Sequence, residues 1–268
     1  MDPTWLHRFV PRLSESKADL SSHACHYKAI FGSGDSAAEI LRSVSRFGEV
    51  TVESHGKCQS ILYDREEEIY FVQQGTGILR YGDEARSVRA NDFTYLAPGV
   101  KHGLENDSAQ PLRVLVMSFK VPSRVVLGAP SQHAKIVNLD AVKEEPVQGH
   151  PTSVLYKLLV GPQKGKRDAI DDAYVVTSFF WMDFAPGGTN FPHHHETAEE
   201  IYFVVDGEGE MAAGSGMNGI EGRFPAQAGD AYYFRPNCTV GFYNQGKPGA
   251  KAHILAVRSR IPISDQED

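Results

Sequence analysis

A six-residue string occurs twice in this chain. Glu67-Glu68-Ile69-Tyr70-Phe71-Val72 returns letter for letter as Glu199-Glu200-Ile201-Tyr202-Phe203-Val204, and each copy is followed by a Gly-x-Gly, Gly75-Thr76-Gly77 and Gly207-Glu208-Gly209. Further on, Asn91-Asp92-Phe93-Thr94-Tyr95 answers to Gly229-Asp230-Ala231-Tyr232-Tyr233. Glu68 and Glu200 are 132 residues apart, Asp92 and Asp230 are 138 apart. The six extra residues fit the glycine-rich run Ala213–Gly219, which reads as a longer hairpin in the second copy. Two copies of so long a unit mean a duplicated domain, because a solenoid needs at least about three short repeats. The 268 residues accommodate two such domains.

Each copy reads as β-structure. Ile69–Val72, Gly77–Tyr81, Phe93–Leu96 and Leu112–Phe119 are short, aromatic or β-branched and separated by turn residues. Tyr174–Phe184, Ile201–Val205, Ala231–Phe234 and Ala252–Val257 repeat the series. With 25 glycines, 15 prolines, 14 phenylalanines and 11 tyrosines, the chain favours short strands and tight turns over long helices. One helix is expected at Ser36–Val44, opened by a capping-box pattern, Ser36 to Glu39. The stretch Pro122–Gly161 has no clean period and reads as a connecting arm. The expected division is therefore an N-terminal domain over 1–122 and a C-terminal domain, with the arm, over 123–268. Gly75, Gly77, Gly207 and Gly209 are expected in hairpin turns with positive φ.

Charge and ends exclude several functions. The net charge of −7 offers no basic surface for phosphate, so no nucleic-acid partner is expected. The opening residues are broken by Pro3, Pro11 and charges, and no run of about 18 apolar residues exists, so neither a signal peptide nor a membrane span is expected. Cys25, Cys58 and Cys238 are odd in number and far apart, which argues against a disulfide framework and for a reducing, cytoplasmic setting. The polar tail Ser264–Asp268 reads as a frayed end.

The second copy carries a ligand constellation: Gly187, then His193, His195, Glu200 and Gly207. On an extended chain His193 and His195 point one way and His194 the other, and a short turn brings Glu200 in on the next strand. Two imidazoles and a carboxylate suit one divalent first-row metal, Fe, Mn, Ni or Zn, and the lack of thiolates argues against structural zinc. Glu199, beside Glu200, is expected to be an outward charge.

This spacing resembles the first signature motif of the cupin superfamily, and the chain as a whole looks like a bicupin. The resemblance covers roughly 50–119 and 173–258. It implies two tandem β-barrels of jelly-roll type, all-β, with one metal per chain in the C-terminal barrel, held by His193, His195 and Glu200. The family's second motif, Gly-(x5)-Pro-x-Gly-(x2)-His-(x3)-Asn, is incomplete in the second copy: Gly229 and Asn244 are present, but Arg235, Asn237 and Val240 replace proline, glycine and the fourth ligand. The first copy is the converse. It has Gly99, His102 and Asn106, whereas Ile61 and Tyr63 occupy the first motif's histidine positions beside Glu68. There a hydrogen-bonded core pair, Glu68 with His102, is expected rather than a metal site. Tyr232, Tyr243, Cys238, Thr239 and His253 lie on segments able to line the second barrel and to supply a substitute ligand or acid–base group. The resemblance implies a metal-dependent enzyme, of dioxygenase or isomerase/lyase type, acting on a small polar organic substrate. The other class it implies is a non-catalytic small-molecule or sugar-binding protein. The sequence singles out no catalytic residue. Cupins often pair their barrels, so a homodimer is the assembly to test.

Overall fold

The computed structural model describes residues 3–36, 38–215 and 219–262. These residues form nineteen strands, three single-turn 3-10 segments and no α-helix. Two compact units result. The N-terminal unit comprises Leu13–Ala141 with Val160–Val175; the C-terminal unit comprises Val142–Leu159, the residues from Val176 onward and the chain's start, up to Arg12.

The first strand, β1 (Trp5–Phe9), belongs to the C-terminal unit. The N-terminal unit begins with β2 (Cys25–Gly32), β3 (Val44–Val52), β4 (Glu66–Gln74), β5 (Thr76–Tyr81) and β6 (Glu84–Arg89). It continues through β7 (Asp92–Leu96), β8 (His102–Glu105), β9 (Leu112–Lys120) and β10 (Ile136–Asn138). A six-stranded sheet in the order β10-β7-β4-β9-β3-β2 faces a three-stranded sheet, β6-β5-β8. Tyr27, Val50, Val52, Tyr70, Val72, Leu79, Tyr81, Leu104, Val114 and Val116 fill the space between them. This is jelly-roll construction, with every-other residues of each strand turned into one core.

The C-terminal unit repeats it. β11 (Val154–Pro162), β12 (Ile170–Ala173), β13 (Val176–Phe184), β14 (Ala198–Asp206) and β15 (Glu208–Ser215) come first. β16 (Ile220–Gln227), β17 (Asp230–Phe234), β18 (Cys238–Tyr243) and β19 (Ala252–Arg260) follow. Within this unit the larger sheet runs β1-β17-β14-β19-β13-β11, before its last strand, β12, and the smaller is β16-β15-β18. The end of β11 and all of β12 lie in the N-terminal unit, where Val160 and Gly161 pair in parallel with Ile170 and Asp171. The expected hairpin extension lies between β15 and β16; its residues 216–218 fall outside those described.

Four expectations are corrected here. Ser36–Val44 is not a helix: Ala38–Ile40 form one 3-10 turn and Val44 already opens β3. (Ala37 lies outside the described residues.) A nine-residue helix is too short to hold on its own, and the strand claims its apolar end. The aperiodic arm contains β10, which adds to the edge of β7, and most of β11. Of the four glycines, Gly75 and Gly207 have positive φ, +86° and +85°. Gly77 and Gly209 are there for closeness: a Cβ would sit 2.5 Å from the Glu105 carbonyl oxygen and 2.2 Å from that of Tyr243.

Cys25 and Cys58 are joined by a disulfide, against the expectation of free thiols; Cys238 is free and buried. The cysteines therefore do not point to a reducing setting. No helix among the described residues is long and apolar enough to cross a membrane. The bond closes a segment with a sequence separation of 33 at the edge of the N-terminal core. Chain-entropy closure of that length contributes about 3–4 kcal/mol. Urea unfolding of the Cys25→Ser, Cys58→Ser double variant is expected to show a loss of that size; a midpoint unchanged from the oxidised wild type contradicts it. The tail 264–268 lies outside the described residues.

Candidate metal centre

His193 does not lie on a regular strand. It makes an isolated bridge with Val240, and its N–H and carbonyl both bond Val240's backbone, at 2.9 and 2.8 Å. Phe191, with φ of +54°, and Pro192 interrupt the extended chain just before it. The Phe191 carbonyl accepts a hydrogen bond from His193 Nδ1 at 2.9 Å, which leaves Nε2 with its lone pair free. His195 follows on the same loop, its ring 5.0 Å from that of His193 and nearly perpendicular. Glu200 enters on β14, opposite Phe234 and Arg258.

One ligand atom from each of His193, His195 and Glu200 falls within 4.8 Å of the others. Two atoms coordinating one ion at about 2.1 Å cannot lie more than about 4.2 Å apart, so rotamer adjustments suffice to close the set on a cation. His194 is outside this group. The Glu200 side chain is 2% exposed and neither carboxylate oxygen receives an aligned hydrogen bond, although His195 Nε2 lies 3.2 Å away. A buried carboxylate in that state is costly, and a bound cation removes the cost. Burial raises the Glu200 carboxyl's pKa, but His195, Arg258 and His193 outweigh it and hold the group below the usual carboxylate range. Burial lowers His193 below an ordinary imidazole despite the opposing pull of Glu200. Both shifts favour the protonation states that metal ligands need.

Around this trio stand three groups that the sequence reading did not single out. Arg258 brings Nη1 to 3.0 Å from His195 Nε2 and 3.3 Å from Nδ1. Tyr156 on β11 is buried and its hydroxyl has no hydrogen-bond partner. His150, from the turn before β11, sets its ring 5.2 Å from that of His193, with Nδ1 3.3 Å from the Asn190 carbonyl. Arg258 was legible in principle: it shares the inward period of Ala252, Ile254 and Ala256 on β19. His150 had no periodic signal.

The substitutes suggested by sequence are elsewhere occupied. Cys238 bonds the Gly214 carbonyl, Tyr232 packs on Trp5 and His7, Tyr243 lies under Arg223, and His253 sits over Trp181 between Asp183 and Asp206. Thr239 is fully buried, and none of these five belongs to the ligand cluster. Glu199 is not an outward charge. It is buried and accepts a hydrogen bond from the Tyr233 hydroxyl, because Ile201, Phe203 and Val257 bury that face of the sheet as well.

The N-terminal unit has the same frame with different chemistry. Ile61 bridges His102 as His193 bridges Val240, so the histidine has changed sides of an equivalent bridge. His102 Nε2 bonds Glu68, the core pair expected from sequence. Arg46 supplies the cation: Nη1 lies 3.3 Å from the other Glu68 oxygen, and Nη2 donates to Tyr63 and, at 3.0 Å, to Asp19. Tyr63 stands at the position of His195 and donates in turn to Asp19. A guanidinium thus neutralises Glu68 where Glu200 has only imidazoles and a distant arginine.

Burial opposes charge on His102, but Glu68, by charge and hydrogen bond, outweighs it and raises the imidazole above its ordinary value. A raised folded-state pKa means that this pair's stabilisation is complete below about pH 6.5 and is lost as pH rises through the higher folded value. Stability measured at pH 6 and pH 9 in the wild type and in His102→Gln is expected to show a larger alkaline loss in the wild type. Equal losses contradict the assignment.

Two jelly-roll units, one with a His-His-Glu cluster and one with that cluster replaced by an ion pair, define a duplicated jelly-roll protein with a candidate metal site in its second copy. A family model for the cupin domain matches residues 48–118 and 180–257, more than half of the chain, and the protein belongs to the cupin family. Among solved structures it is similar to protein Ylba from E. coli, with TM-score 0.73 and 13% identity, over 99% of this chain and 94% of that one. AerE from Microcystis aeruginosa gives 0.64 and 15%, over 92% and 96%. The oxalate decarboxylase of Lactobacillus farciminis, in complex with formate, gives 0.67 and 12%, over 96% and 86%. At such identities the likeness is one of fold. An uncharacterized protein of Methanocaldococcus jannaschii is 34% identical over 53 residues, 20% of this chain and 42% of that protein's length.

Proposed function

We propose that the C-terminal barrel holds one divalent transition metal (Fe, Mn, Ni or Zn) on His193, His195 and Glu200. On this reading the protein is a metal-dependent enzyme for a small polar organic molecule, of oxygenase or isomerase/lyase type. The observation that carries the reading is Glu200, a buried carboxylate with no hydrogen bond and two imidazoles converging on it. Bound there, the metal supplies a Lewis acid with open positions.

The chain's own residues support that role. The Phe191 carbonyl fixes the His193 tautomer, and Asn190 is itself held by the Tyr202 hydroxyl and the Phe242 N–H. Phe180 and Val240 make part of the wall apolar and limit water. The His150 imidazole is the group placed to carry a proton beside the ligands. The proposed setting is cytoplasmic, with a small-molecule substrate and homodimeric assembly.

Chelator-stripped protein reloaded with Mn, Fe, Ni or Zn is expected to melt about 5–10 °C higher at a hundredfold excess over the dissociation constant. No shift with any of the four contradicts the reading. Aerobic against anaerobic assay of the loaded protein then separates oxygenase from isomerase.

A further inference from the structure

Corresponding strands of the two units carry an arginine and a serine in exchanged positions. In the N-terminal unit a cross-strand row reads Arg46 on β3, Ser118 on β9, Glu68 on β4. In the C-terminal unit the same row reads Ser178 on β13, Arg258 on β19, Glu200 on β14. The outcome for the guanidinium differs. Arg46 is buried and held by Glu68, Asp19 and Tyr63. Arg258 has no ion pair among the described residues: its Nε reaches Thr177 Oγ1 at 3.3 Å and its Nη1 reaches only the His195 ring.

That contact is temporary on the proposed function, on which this inference rests. Arg258 reaches both ring nitrogens of His195, the two atoms through which that residue can ligate a metal, so a bound metal competes with this contact. Arg258 then keeps its Nε contact with Thr177 Oγ1, and its Nη donors have no acceptor among the described residues. Close by is a second unspent group. The Tyr156 hydroxyl is buried and lacks any partner, and its ring lies 5.3 Å from that of His150, whose ring is 5.2 Å from that of His193. The site is open on one side, since the His195 side chain is 23% exposed.

We infer that Arg258 and Tyr156 form a clamp for the carboxylate of a small organic acid, and so determine which small molecules the C-terminal barrel accepts. A carboxylate takes two parallel N–H donors from a guanidinium and has lone pairs left for a phenol. A neutral amide of the same shape forfeits the charge assistance and turns N–H groups toward donors. The N-terminal unit has no equivalent, because Glu68 already occupies Arg46.

The test uses cobalt-loaded full-length protein, titrated with acetate and glycolate and with acetamide and glycolamide, followed by calorimetry and by the cobalt absorption bands. The acids are expected to bind at least about tenfold tighter than the amides. Arg258→Gln is expected to remove that preference with cobalt content unchanged. Tyr156→Phe, which keeps the packing, is expected to weaken the acids by about threefold to tenfold. Acids and amides binding equally, or Arg258→Gln retaining the preference, overturns the clamp. If the wild type takes up no cobalt, the proposed function fails instead. The same calorimetric titration of metal-free wild type and Arg258→Gln then decides the clamp: preference lost in the variant supports it, preference unchanged or absent overturns it.

Discussion

Replacing His193 and His195 together by alanine is expected to reduce the metal content of the purified protein from close to one ion per chain to a negligible fraction. The two imidazoles supply two of the three ligand atoms that lie within 4.8 Å of one another, and a lone carboxylate does not retain a first-row metal through dialysis. The fold is expected to survive. The bridge at His193 is made by its backbone, with Val240, and alanine keeps both hydrogen bonds. The variant should therefore show native circular dichroism and lose only the metal-linked part of the melting temperature. A variant that retains one metal per chain shows that the ion sits elsewhere. The natural companion, Glu68→Ala, is expected to leave metal content untouched.

That companion has a large effect of another kind. Glu68 is the shared partner of Arg46 and His102, and the Arg46 and Glu68 side chains are 6% and 1% exposed. Removing the carboxylate leaves a buried guanidinium whose Nε already lacks a partner and whose remaining anion, Asp19, is half exposed. Breaking a buried pair in this way costs about 3–5 kcal/mol. The double change Arg46→Met, Glu68→Leu removes both charges and is expected to recover most of that loss, since desolvating the pair was itself expensive. Urea denaturation of the single and double variants measures both quantities. A Glu68→Ala variant within about 1 kcal/mol of the wild type contradicts the view that Arg46 stands in for a metal.

The duplication and the ligand trio were legible because they are local: an exact hexapeptide, two histidines two residues apart, and a glutamate one turn later. The replacements were not, because they depend on register between distant strands. Arg46 meets Glu68 only through the row it shares with Ser118, and Arg258 meets the second site through the corresponding row. Glu199 looks like an outward charge by alternation, yet it and its counterpart Glu67 are buried, since both faces of their strands are covered. Glu67 accepts hydrogen bonds from the Tyr95 hydroxyl and from the backbone N–H groups of Tyr174 and Val175, the latter two more than a hundred residues away. Cys25 and Cys58 pair because β2 and the loop after β3 converge, which no spacing rule on three cysteines reports. His150 reaches its neighbour from a stretch whose sequence has neither helical nor strand period.

The central claim is an asymmetry: equivalent frames, a metal in one and an arginine in the other. Anomalous diffraction from crystals of the purified protein, recorded at the absorption edges of Mn, Fe, Ni and Zn, tests it most directly. The account predicts one peak per chain, within bonding reach of His193, His195 and Glu200, and none beside Glu68 and His102. A peak at Glu68, or no peak in the C-terminal barrel of metal-supplemented crystals, contradicts it.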